Sequence, residues 1–174
     1  WFDIEASDAA DPHLGAFIRL LAGIYAGGSI RTTGWTPQWT TDGPIDDITR
    51  SLRTLGIEFR RIHIHDSHRA TEVVPRSDGS LLGRALHVLG GPLESKNESS
   101  VDALPSHLFH LPTPIRRAFV RVYLQYRRSG DKSTLRIQEE RASSFHEDLA
   151  DLVAGVLDGD PDAVSVGARG IYVS

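Results

Sequence analysis

The stretch Leu20–Ile30, LLAGIYAGGSI, decides how this chain is read. An apolar helical pattern, with Leu14, Phe17, Ile18, Leu21 and Ile24 or Tyr25 at i, i+3, i+4 spacing, runs directly into Gly23, Gly27 and Gly28. Gly23 and Gly27 are one helical turn apart on the same face, and a helical glycine costs about 1 kcal/mol relative to alanine. Two of them imply a close approach to that face. Either a second helix packs there backbone to backbone, or a ligand meets the helix end.

Outward from this stretch, SIRTTGWTPQWTT is rich in Thr and Trp and holds a Gly and a Pro between Trp35 and Trp39, which predicts a hairpin. DGPIDDITRSLRTLGIEF predicts a second helix, with Asp and Pro at its start, Ile45, Ile48, Leu52 and Leu55 on one face and Gly56 as its stop. RIHIHDS and TEVVPRS alternate as two strands, and SLLGRALHVLGG forms a third helix. The order then returns: TPIRRAFVRVYLQYRRSG is a helix, STLRIQEE a strand region, SSFHEDLADLVAGVLDG a helix, and AVSVGARGIYVS a hairpin. AF(I/V)R occurs in both leading helices, at Ala16–Arg19 and Ala118–Arg121. This predicts an α+β protein of two αββαββα-type halves with antiparallel sheets: residues 1–91, a polar Pro- and Ser-rich linker at 92–113, and residues 114–174.

The 174 residues are 40% hydrophobic and 24% charged, which suits an ordinary globular chain. No apolar run reaches the roughly 18 residues of a membrane span and no leader-like segment opens the chain, so no membrane partner and a cytoplasmic location are expected. The missing Met at position 1 is expected of a segment of a larger parent protein. With no Cys, disulfides, thiolate nucleophiles and Cys-containing zinc sites are excluded. The net charge of −4 is unevenly spread. His110–Arg141 holds eight Lys and Arg against three acids, whereas Ala142–Ala168 holds six acids and no Lys or Arg. Such a basic segment is either a solvated helix face or a surface for a polyanion.

The Leu-Ala-Gly helix with its Gly-x-x-x-Gly end, the Gly-x-x-x-Ser-Lys segment GGPLESK, and the LP before the second RRAF helix together resemble the LAGLIDADG homing endonucleases, including those carried inside inteins. The resemblance covers most of the chain. It implies two Leu-Ala-Gly helices packed on each other, two sheets forming a saddle on double-stranded DNA, and an acidic residue ending each helix to bind a divalent metal. On this alignment Gly23 and Gly27 form the helix interface with Val122 and Tyr126. The acidic positions then fall on Gly28 and Arg127, and both acids are missing. In the family, Mg2+ activates water and stabilises the leaving oxygen; glycine offers no ligand and a guanidinium repels the ion. Asp42 and Asp131 lie downstream as substitutes in a rearranged site.

For the saddle, alternate strand residues would meet DNA: Arg31, Thr33, Gln38, Arg61, His63, His65, Lys132, Thr134, Arg136 and Gln138. HIHDSH, His63–His68, resembles the His-x-His-x-Asp-His metal motif of metallo-β-lactamases but sets Asp66 and Ser67 in the wrong order. Trp35 and Trp39 suit hairpin packing. GGPLESK lacks the Gly-Lys-Ser/Thr ending of a phosphate-binding loop. Three functions fit: a monomeric, cleavage-deficient DNA-binding module needing no cofactor; an active Mg2+-dependent endonuclease using Asp42 or Asp131; or a structural or protein-interaction domain.

Overall fold

The computed structural model describes residues 11–41, 45–64, 70–94, 103–129, 135–138, 143–156, 164–167 and 170–173. Helix α1 (Pro12–Gly27) carries the apolar repeat that runs from Leu14 to Tyr25. Asp11 accepts hydrogen bonds from the backbone N–H groups of His13 and Leu14, with Pro12 in the first turn. The helix ends as Gly28 turns extended and returns its N–H to the Gly23 carbonyl. All of Ile18–Ala26 is buried, so α1 is wrapped on several sides rather than along one stripe.

Strands β1 (Gly28–Ile30) and β2 (Pro37–Thr41) form the expected hairpin, and α2 (Asp46–Thr54), β3 (Phe59–Ile64), β4 (Ala70–Pro75) and α3 (Gly79–Val88) complete the first half. The second half runs α4 (Thr113–Arg127), β5 (Arg128–Ser129), β6 (Leu135–Gln138), α5 (Ser143–Ala154), β7 (Val164–Gly167) and β8 (Gly170–Val173). Each half holds a four-stranded antiparallel sheet, in the orders β1-β2-β4-β3 and β5-β6-β8-β7. The two sheets therefore share one topology. Helices α1 and α3 cover β2, while α4 and α5 pack against the second sheet.

The halves meet where α1 lies against α4, the most extensive helix contact in the fold. An aromatic cluster ties the seam. The Tyr25 ring meets Phe119 edge-on at 6.1 Å and stacks on Phe145 at 6.1 Å, and Tyr123 joins both at 6.3 and 6.2 Å. The Tyr25 hydroxyl donates to the Gly90 carbonyl at 2.8 Å, which fixes the ring's depth. Between the halves the chain is docked. Leu93 bridges to Ile30 and the Glu94 N–H donates to the Ile30 carbonyl. Leu104 and Leu108, the latter in the 3-10 turn Ser106–His110, are buried, and the Leu104 N–H donates to Asp148 on α5. No helix among the described residues is long and apolar enough to cross a membrane.

Candidate nucleic-acid interface

Register fixes which strand residues share a face of the first sheet, and burial says which face meets the helices. Pro37, Trp39 and Thr41 of β2 are buried, as is Val73, the partner of Trp39. Gln38 and Thr40 alternate with them on the open face, next to Ser29, which pairs with Gln38, and Glu72, which pairs with Thr40. Arg31 reaches Glu72 at 3.8 Å from the loop after β1, and Thr33 is exposed in that loop.

Strand β3 places Arg61 and His63 on the opposite face from Gln38 and Thr40. Arg61 pairs with Val73, and His63 pairs with Thr71, itself the partner of buried Thr41. Both therefore lie on the helix side. Arg61 donates to the Thr49 hydroxyl of α2 at 3.2 Å and lies 3.8 Å from Asp46, and the His63 ring is 3.3 Å from the Thr71 hydroxyl. The open face receives Arg60, Ile62 and Ile64 instead, and Arg60 is exposed. The alternation of β3 is as expected, but period two does not say which set faces inward. On an edge strand both sets can be wet. Arg60, Thr40 and Ser29 share this open face and were not named from the sequence; strand pairing places them there. His65, Lys132 and Thr134 lie outside the described residues. Arg136 and Gln138 lie on β6, paired with Tyr172 and Gly170.

The glycines of α1 serve their own half. A Cβ on Gly23 would meet Ile48 Cδ1 at 2.6 Å and Trp39 Cδ1 at 2.7 Å, so the glycine makes room for the Trp39 indole, whose Nε1 donates to the Leu20 carbonyl at 3.0 Å. A Cβ on Gly27 would meet only the Thr40 carbonyl, at 3.3 Å. On the Cβ side, Gly23 thus faces β2 and α2 and Gly27 faces β2, while α1 as a whole packs on α4. The AF(I/V)R match is also out of register. Each helix runs directly into its first strand, at Gly27–Gly28 and at Arg127–Arg128, and Gly28 and Arg128 hold the same place in their ladders. Gly23 then corresponds to buried Tyr123, and Val122 and Tyr126 correspond to Ala22 and Ala26. Gly28 corresponds to Arg128, one residue beyond Arg127. The residue at the second helix end is arginine on either alignment.

The residues at which the two helices pass into strands, Gly27–Gly28 and Arg127–Arg128, include no carboxylate. A Cβ on Gly28 would fall 2.6 Å from the Gln38 carbonyl and 3.1 Å from the Gly23 carbonyl, so backbone fills the space a carboxylate side chain would need. Arg127 is half-buried. The nearby acids are engaged: Asp47 accepts from Arg121 of α4 at 2.9 Å and lies 3.8 Å from Arg50, while Asp46 faces Arg61. The Tyr126 phenol sits close enough to feel both. Burial first, then the Asp47 and Asp46 charges, push its pKa well above the ordinary value, and its buried hydroxyl has no hydrogen-bond partner among the described residues. No group of three or more His, Asp or Glu among the described residues could hold a metal. Asp42 and Asp131 lie outside them.

No protein-family model and no curated protein matches the sequence. Solved structures do. The fold superposes on a crystal structure of I-DmoI in complex with DNA and Mn at a TM-score of 0.53, with 11% identity over 93% of this chain and 90% of that one. A structure of I-DmoI in complex with DNA and Ca gives 0.53 and 12%, over 94% and 83%. With two sheets of one topology joined through α1 and α4, the chain has the fold of I-DmoI, a LAGLIDADG homing endonuclease.

Proposed function

We propose that this chain binds double-stranded DNA across the open faces of its two sheets and does not cut it. The observation that carries this reading is the pair of helix ends: backbone fills the space beside Gly28, and Arg127 and Arg128 stand where the second acid would be. The open face of the first sheet supports the binding half, since it presents Arg60, Gln38, Thr40 and Arg31, donors and acceptors for phosphates and base edges. Both sheets come from one chain, related by pseudo-symmetry, so a monomer completes the saddle. It serves as a binding module of a larger parent protein, as a degenerate intein endonuclease would. No cofactor is needed for binding.

Titration of a random duplex pool at low and moderate salt tests the binding half. Retention that weakens steeply with salt is expected, because phosphate contacts release counterions. Absence of retention even at low salt would leave a structural or protein-interaction domain. Incubation of a selected duplex with Mg2+ or Mn2+ tests the other half, and intact DNA is expected. Double-strand cutting lost in Asp42→Asn or Asp131→Asn would establish the displaced-acid enzyme instead.

A further inference from the structure

The loop that joins β1 to β2 is bent by two successive residues in the left-handed region, Gly34 at φ 77° and Trp35 at φ 55°. Hairpins ordinarily place Asn, Asp or Gly there, and a bulky residue stays in that region only where its surroundings hold it. Helix α3 holds Trp35. The indole lies 5.4 Å from the His87 ring, and the Arg84 guanidinium sits over it at 5.7 Å, the two partners being three residues apart on one face of the helix. The His87 ring is fixed in turn by its Nδ1, 2.9 Å from the Gly91 carbonyl. At Gly83 the helix is bare: a Cβ there would run into the Trp35 carbonyl, so the loop backbone rests on α3 where a side chain is missing.

The same loop turns the other way at its start. The Arg31 N–H donates to the Thr36 carbonyl at 3.0 Å, which closes the loop, and the Arg31 guanidinium lies 3.8 Å from Glu72, the partner of Thr40 on the open face. Arg31, Thr32 and Thr33 are exposed. We infer that Trp35 is a positioning residue for DNA binding: seated on Arg84, His87 and Gly83, it holds Arg31, Thr32 and Thr33 in one preformed arrangement beside the open face, ready for the phosphates of a duplex. The inference rests on the DNA-binding reading above. A loop free to move would lose backbone freedom on meeting DNA, and that loss weakens binding, whereas a loop fixed in advance has already met it in folding. The ring partners of Trp35 belong to α3, which covers β2 from the side opposite the open face, so its effect on affinity passes through the loop.

Two measurements on the full chain test it: fluorescence anisotropy of a labelled duplex chosen from the random pool, and limited trypsin digestion without DNA, with cleavage after Arg31 read by mass spectrometry. Trp35→Asn keeps a residue that tolerates the left-handed region but removes the ring. Cleavage after Arg31 should become faster, because that bond is reached when the loop opens. Affinity should fall about tenfold with the salt slope unchanged, since the same phosphates are met at a higher ordering cost. Arg31→Gln should lower the slope instead. Trp35→Phe, which keeps a ring against Arg84 and His87, should match the unmodified chain in both measurements. Should a thermal melt show that the Asn variant has lost its fold, Arg84→Ala on the exposed side of α3 takes its place, with both effects in the same direction. A folded variant in which either the cleavage after Arg31 or the affinity is unchanged overturns the inference and leaves the DNA-binding reading in place. So does a flattened salt slope, which would make the lost interaction a phosphate contact. An unmodified chain that holds no duplex removes both.

Discussion

Gly23→Ala isolates the claim that this glycine makes room for its own half rather than for the helix across the seam. The added methyl would stand 2.6 Å from Ile48 Cδ1 and 2.7 Å from Trp39 Cδ1. Ordinary carbon contacts lie at about 3.5–4.0 Å, so both neighbours must retreat by roughly 1 Å. Trp39 resists, being fully buried and held by its Nε1 bond to Leu20. Overpacking of this kind costs about 1–3 kcal/mol. Removing a helical glycine returns about 1 kcal/mol, so a net loss of about 0–2 kcal/mol is expected. Ile48→Val removes the nearest clashing atom at a cost of about 0.5–1.5 kcal/mol by itself. The double variant should therefore be more stable than the sum of the two by about 0.5 kcal/mol or more. Equilibrium urea denaturation with an unchanged m-value reads this directly. Strict additivity with Ile48→Val, together with coupling of Gly23→Ala to Val122→Ala on α4, would show that the glycine faces the seam and would refute the reasoning.

Two further substitutions probe the sheet face and the join between the halves. Arg60→Ala should weaken duplex binding and lower the salt slope by about one without changing thermal stability, whereas Arg61→Ala, which loses its contact with Thr49, should leave the salt slope unchanged. The reverse outcome in anisotropy would place β3 in the opposite orientation. Asp47→Ala removes the carboxylate 2.9 Å from Arg121, whose side chain is only 20% exposed, and should cost about 1–3 kcal/mol in urea denaturation. A loss below about 0.3 kcal/mol would mean that solvent screens the pair as at an open surface.

The sequence by itself determined the element order of the first half, the two leading helices, the apolar face of α2 and the absence of carboxylates at both helix ends, but it read strand β5 (Arg128–Ser129) as helix. These are local properties. Period-3.6 and period-2 patterns and the identities of Gly28 and Arg127 are written along the chain and survive whatever packs on them. Only the tertiary structure decided three other matters. It turned Arg61 and His63 to the helix side and Arg60 to the open face, because alternation fixes which residues share a face while pairing with β4 fixes which face is inward. It gave the Gly23 space to Trp39 and Ile48, since a small residue signals a close neighbour without naming it. It also set the two halves in register through their strand ladders, which AF(I/V)R misplaces by two residues, because four-residue identity in a helix is weaker than the demand that each helix end enter its own sheet. Backbone hydrogen bonding across strands links residues far apart in sequence, and that long-range pairing is what local patterns cannot carry.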